Sequence, residues 1–350
     1  MVLKSTILWY FVLSTLVVAT TVFSKHIYGL EESHTEWKRS RLSLPWKRAI
    51  PPSFFAGNRR PEGLPGILGG REIQQKLPTD PPADPPYFFS LFDPSTNTPF
   101  YSAYKVTPSQ AMGLGANNRS AVRNVNWRNP IANPGYPVVR VDGAYTEAIT
   151  TDGEPLSRGH MNPAGINSFD LKFMKATFTL TNAVPQFETS NSGPWQDFET
   201  KIRDYANYTC GPKGGTFYLL TGRSENGIIP DPQNRYKVVH DTSCTVPKPY
   251  VKDKFLGGTV RLETPRSVWT AGCCVWTEPG RVFGRIWPAK NAQSFAVMSN
   301  NQKDRNKLYQ TQMSVRELEE LLRAPFLSET VNLFPGDENC RRPANHKKLK

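Results

Sequence analysis

The chain has 350 residues, of which 38% are hydrophobic and 11% aromatic, enough for one large folded domain or two small ones and too apolar for a disordered chain. Its net charge is +13, from 43 Lys+Arg against 30 Asp+Glu. That charge permits polyanionic partners such as nucleic acid, heparin-like glycans or anionic membrane surfaces, but does not demand one, because much of the excess sits in residues 36–48 and 341–350.

In chain order, residues 1–24 read as a secretory signal: Lys4 opens it, and Thr6 to Phe23 is an almost unbroken apolar run. The run is at the short edge of a membrane span, so an uncleaved anchor is the alternative. No second such run follows, which argues against a multi-pass protein. The sequons Asn118-Arg119-Ser120 and Asn207-Tyr208-Thr209 agree with a secreted, extracellular location and glycosylation. The cysteines are Cys210, Cys244, Cys273, Cys274 and Cys340, with no C-x-x-C pair, so a disulfide framework is expected in place of a zinc site. Two bridges and one spare thiol is the natural count; Cys273 and Cys274 each pair elsewhere, or one stays free.

Residues 25–50 read as a basic linker, 51–340 as one domain, and 341–350 as a basic tail. Pro51 to Pro86 looks like a wrapping arm. Tyr87 to Leu91 and Phe100 to Val106 are strand-like, with a turn at Asp93 to Asn97. Residues 107–156 are loop-rich, with Trp127 and Tyr136 as anchors. A helix is predicted over Ile166 to Lys175, capped by Asn167 or Ser168, then a strand over Thr177 to Thr181. Gly193 and Pro194 precede a second helix, with proline at a first-turn position, that runs to about Tyr205 and buries Trp195, Phe198, Ile202 and Tyr205. Further strands are predicted over Thr216 to Thr221, Tyr236 to His240, Gly258 to Leu262 and Val282 to Ile286. Ser314 to Leu322 is a helix with a capping box, Ser314 to Glu317. The mixture is α+β, without βαβ alternation.

The chemistry concentrates between Ser157 and Arg203. Hydrolysis of a phosphodiester needs a base to activate water, a cation to neutralise growing charge, and donors on the phosphate oxygens. His160 titrates near neutrality and can serve as the base. Asn182 and Asn191 offer amide oxygens suited to a hard cation that keeps most of its waters. Glu199 and Arg203 share a helix face, and Arg158 lies two residues before His160. Each has an ordinary alternative: a hydrogen-bonded histidine, turn asparagines, an i,i+4 ion pair, a surface arginine. His240 has no acid or base partner nearby and reads as structural; His26, His34 and His346 fall in the tails.

Taken together, Ser157-Arg158-Gly159-His160, Leu180-Thr181-Asn182-Ala183-Val184-Pro185-Gln186 and Asn191-Ser192-Gly193-Pro194-Trp195 with Glu199 resemble, in order and spacing, the motifs of the DNA/RNA non-specific endonuclease family. Phe54-Phe55, Tyr101 to Tyr104, Trp269 to Cys274 and Leu333 to Gly336 are similar to its animal branch of endonuclease domain-containing 1 proteins. The resemblance implies a ββα-metal (His-Me finger) site in one large α+β domain. It implies His160 as general base, Asn191 as ligand of Mg²⁺ (or Mn²⁺), and Glu199 on a metal-bound water. Asn182 would orient groups, and Arg158 and Arg203 would bind phosphate. The partner would be DNA or RNA held through its phosphates, cut with little sequence preference. One position departs from the pattern: the family's first aspartate is Ser157 here. A second reading is therefore a secreted polyanion-binding protein on the nuclease scaffold, impaired in catalysis.

Overall fold

Alternation of apolar residues along extended segments builds the central sheet. The computed structural model describes residues 52–64, 69–128, 145, 156–229, 237–239, 250–253, 258–282, 285–323 and 330–350. Residues 1–24 and 25–50, and Tyr136, His240 and Cys244, read above from the sequence, lie outside these. Strands β1 (Arg71–Gln75), β2 (Phe88–Asp93), β3 (Thr98–Val106), β6 (Thr216–Ser224), β11 (Ser267–Val282), β12 (Arg285–Asn300) and β13 (Gln310–Met313) form a seven-stranded sheet, β1-β2-β3-β6-β11-β12-β13. All its neighbouring strands run antiparallel. Three two-stranded pairs accompany it: β4 (Leu156–His160) with β5 (Ala183–Phe187), β7 (Gly227–Ile229) with β8 (Lys237–Val239), and β9 (Tyr250–Asp253) with β10 (Gly258–Arg261).

Successive residues of a strand face opposite ways, so both faces of the sheet must be covered. One face carries Phe89, Tyr101, Leu220, Trp269, Ala271 and Met298, under the helix Val315–Leu322 and the Val331–Phe334 segment. The other carries Phe88, Tyr104, Phe217, Leu219, Phe295 and Val297, under the helix Gln196–Tyr205. We number the helices α1 (Pro108–Met112), α2 (Leu171–Ala176), α3 (Gln196–Tyr205) and α4 (Val315–Leu322). Trp195, Phe198, Ile202 and Tyr205 recur every three or four residues, as expected, and all are buried against the second face. Each such side chain removed from water contributes roughly 1.5–3 kcal/mol.

The same alternation decides the disulfides. Cys273 and Cys274 are adjacent in β11 and therefore face opposite layers. Cys274 bonds Cys210 just beyond α3, and Cys273 bonds Cys340 beneath α4. Each staples one layer to the sheet.

Several expectations change. The helix read over Ile166 to Lys175 is a 3-10 turn, Gly165–Asn167, followed by α2, because Asp170 caps α2 by accepting from the Lys172 and Phe173 N–H groups. Thr177 to Thr181 is not a strand; it runs through an isolated bridge at Thr179 into a turn at Leu180–Asn182. Within the strand read over Val282 to Ile286, Val282 ends β11 and Arg285 and Ile286 begin β12, two arms that pair from Ser267↔Asn300 to Val282↔Arg285. The arm read over Pro51 to Pro86 contributes edge strand β1. Residues 341–350, read as a tail, fold against the sheet: Arg341 pairs with Glu319 at 2.8 Å, the Lys347 N–H donates to the Ser294 carbonyl, and Leu349 is buried.

Candidate active site

Strands β4 and β5 lie side by side with Ser157↔Gln186, Arg158↔Pro185, Gly159↔Val184 and His160↔Ala183 as partners. This pairing brings the first two motifs together although 22 residues separate their ends. Gly159 gives room to Gln186: a Cβ there would lie 1.8 Å from Gln186 Oε1, so any larger residue requires that side chain to shift. After β5 the chain makes one helical turn, Glu188–Ser190, then a wide π turn, Asn191–Trp195, and enters α3. Ser192 and Gly193 leave helical geometry inside that turn, and Pro194, expected in the first turn of the helix, sits there too, so α3 begins at Gln196. Strand, strand and helix thus form a ββα unit seated on the sheet.

His160 ends β4. Its ring packs between Trp127, with centroids 4.6 Å apart, and Phe178, at 5.0 Å. Nε2 is buried and has no hydrogen-bond partner. Burial, then the positive charge of Arg119, hold the imidazole down to about 3. It is therefore neutral at pH 7, with a ring nitrogen unengaged. Glu199, in the first turn of α3, is affected in the opposite sense: burial pushes its carboxyl up to about 8. The Trp195 indole and Arg119 draw it partly back, although the indole N–H closes no hydrogen bond of good geometry. Burial thus favours the protonated carboxyl, and a cation bound there would have to displace that proton.

Asn182 is buried and fully engaged. Its Oδ1 accepts from Ser102 Oγ (2.9 Å) and the Asn162 N–H (2.8 Å), and its Nδ2 donates to the Asn162 and Thr177 carbonyls, both at 3.0 Å. An amide has four such positions, so none is left for a ligand. Asn182 thus fixes the chain two residues after His160 and ties it to the sheet through Ser102, Ser90 and Gln75. Its amide oxygen is therefore not available to a cation.

Asn191 is half-buried, and its side chain makes no hydrogen bond among the described residues. Among those residues no group of three or more His, Cys, Asp or Glu is placed to hold a metal. A donor set of one amide oxygen and one carboxyl suits a hard cation such as Mg²⁺, which retains waters, and not zinc. The residues present fit the implied group: Asn191 and Glu199 lie on the same continuous turn and helix, and the Asn191 amide and the His160 Nε2 are unengaged. Arg158 places its guanidinium over the Tyr145 ring, 5.3 Å from the centroid. Arg203 pairs with Asp204 at 3.3 Å instead of with Glu199, so the i,i+4 ion pair is not formed.

Sequence reading missed Arg119, in the turn Arg119–Val122. Its guanidinium stacks 4.7 Å from the Phe178 ring, and its charge acts on both His160 and Glu199. Nothing local marks it, since it occurs inside a sequon; only packing on Phe178 places it. Trp127 was recognised as an anchor but not as a wall of His160.

The DNA/RNA non-specific endonuclease family model matches residues 72–330. Among curated proteins, the chain is 50% identical over 52 residues to the mitochondrial nuclease EXOG of Homo sapiens, covering 15% of this chain and 14% of that protein. It is 31% identical over 121 residues to that of Danio rerio, covering 29% and 34%. The chain thus aligns with well under two thirds of these relatives. A crystal structure of an EndoG/EndoGI complex aligns with TM-score 0.42 and 16% identity, over 67% of this chain and 80% of that one. The relatives are mitochondrial by name, which overturns the secreted location expected from residues 1–24.

Proposed function

Because the chain belongs to the DNA/RNA non-specific endonuclease family, we propose that it hydrolyses phosphodiester bonds of DNA and RNA with the aid of a divalent cation, Mg²⁺ or Mn²⁺, using His160 as general base. The observation that carries this is the neutral His160, with Nε2 buried and unengaged, on the strand paired to the segment that leads into Asn191 and Glu199. The compartment proposed is that of the mitochondrial relatives.

In this reading Arg119, Arg158 and Arg203 draw the phosphate through charge, without reading base edges. An anionic phosphate at Arg119 cancels one of the two causes that depress His160, so the base strengthens when substrate is present. The imidazole takes a proton from water as the water oxygen bonds to phosphorus and the bond to the leaving oxygen breaks. Asn191 and Glu199 would hold the divalent cation, which neutralises charge on the phosphate and leaving oxygen. Asn182 keeps His160 in register.

The test is cleavage of supercoiled plasmid and of RNA, with and without EDTA, by wild type and His160→Ala. Cleavage that needs the metal and falls roughly 10²–10⁴-fold in the variant supports the proposal. Equal cutting by both proteins, or salt-sensitive binding of nucleic acid with no turnover under any divalent metal, would replace it with the binding-only reading.

A further inference from the structure

We propose that Glu188 is a positioning residue, supplying from the end of β5 the carboxylate that the first position of the Ser157–His160 motif lacks. The proposal rests on the nuclease reading above for what is being positioned, and on the hydrogen bonds of Glu188 for how.

Ser157 Oγ donates to one Glu188 oxygen, and Ser192 Oγ donates to the other. Each donor adjoins a residue of the site: Ser157 precedes Arg158, and Ser192 follows Asn191. One carboxylate therefore clips the strand bearing Arg158 and His160 to the turn bearing Asn191. The contact to Ser192 is local, four residues along the chain; that to Ser157 spans 31 residues and exists only because β4 and β5 pair.

Strand geometry explains the reach. Ser157 faces Gln186 across the ladder. Glu188 opens the helical turn that follows β5, one residue past the end of the ladder, and its side chain reaches back to Ser157. The backbone from which Glu188 projects is itself held to the sheet. The Phe187 N–H donates to Asn301 Oδ1 at 3.0 Å, Thr189 Oγ1 to the Gln302 carbonyl at 2.8 Å, and Ser190 Oγ to the Asn300 carbonyl at 3.2 Å. The carboxylate is thus delivered from an anchored segment.

Serine at 157 then completes the arrangement instead of impairing it. A hydroxyl can donate to Glu188, whereas an aspartate there would bring two carboxylates together and push the clip open. The negative charge at this position is kept; it comes to Ser157 from the turn that follows β5.

Wild type, Ser157→Asp, Glu188→Ser and the double variant Ser157→Asp/Glu188→Ser form the test. The readings are kcat and KM for plasmid nicking, Mn²⁺ affinity without nucleic acid, and melting temperature. Each single variant is expected to lose about ten-fold in kcat, the scale of a lost charge-assisted hydrogen bond, with KM little changed. Mn²⁺ affinity should weaken in the same variants, because the Asn191 turn is released. The double variant, with one carboxylate again at the contact, should return to within about three-fold of wild type in both, the scale of pairwise coupling.

A Ser157→Asp protein that equals or exceeds wild type, or a double variant no better than the singles, overturns the proposal. Should wild type cut nothing, the nuclease reading fails, while the Mn²⁺ cycle still decides for Glu188: non-additive losses support the clip, additive ones reject it. If Glu188→Ser does not fold, Glu188→Gln keeps the volume and removes the charge for the same cycle.

Discussion

At the scale of single residues, burial sets the chemistry of His160 and Glu199 in opposite directions. A histidine lowered to about 3 keeps its base neutral far below the usual histidine range near 6.5. At saturating metal, kcat/KM should therefore stay level as pH falls through 6.5. Arg119→Gln, by removing a positive charge, should raise the imidazole and move the acid limb upward. A wild-type limb centred near 6.5 would contradict this. Glu199 is raised from 4.5 to about 8, so the folded protein binds its proton more tightly than the unfolded chain does. Its contribution to stability is whole below pH 4.5 and is lost as pH rises towards 8. In EDTA, the urea midpoint of wild type relative to Glu199→Gln should fall across that window; parallel curves would refute it. Asn182→Ala strips partners from Ser102, the Asn162 backbone and the Thr177 carbonyl. It should cost about 2–4 kcal/mol in urea unfolding and lower kcat by displacing His160.

At the scale of elements, the paired strands and the π turn do what no single residue does. The β4–β5 ladder depends on Gly159, over which Gln186 lies too close for a side chain. Gly159→Ala should separate the strands, cost about 1–3 kcal/mol and reduce cleavage; shortening the obstacle with Gly159→Ala/Gln186→Ser should recover part of both, as read by melting and plasmid nicking. No recovery would mean that the strand tolerates no Cβ for some other reason. The π turn inserts non-helical Ser192 and Gly193 before α3, so Asn191 lies ahead of the helix and not in its first turn. The apolar face of α3 and the Ser314–Glu317 capping box were legible because both are local patterns. The π turn was not, since Gly-Pro at a helix start ordinarily means a plain first turn.

At the scale of the molecule, two disulfides hold opposite layers to one sheet. They span 64 and 67 residues, and each should contribute about 4 kcal/mol by restricting the unfolded chain. Reduction, or Cys274→Ser, should lower the denaturant midpoint substantially; an unchanged midpoint would show that packing alone carries the fold. Both bridges require an oxidising environment wherever the protein folds. The long β11–β12 hairpin was hidden from sequence reading because Pro279, Gly280 and Pro288 punctuate its arms as if they were loops, while pairing along the sheet overrides them. The docking of residues 341–350 was hidden for a similar reason: a basic run looks solvated until Glu319 is found beneath Arg341.

In the sequence itself, the order and spacing of the Ser157–His160, Leu180–Gln186 and Asn191–Glu199 motifs carried the resemblance to the family, because a reaction demands residue types in sequence-local units, and the mix of predicted helices and strands pointed to the α+β class. The buried face of α3 followed from helical periodicity, whereas the adjacency of Cys273 and Cys274 left open whether both pair, which the two layers decide. What only the tertiary structure decided are relations between segments distant in the chain. These are Arg119 acting on His160 and Glu199, Asn182 consumed by structural hydrogen bonds, and Glu188 reaching Ser157 across the ladder. Distances between such groups, and the burial that shifts their protonation, arise only when the segments pack, and no local pattern encodes them.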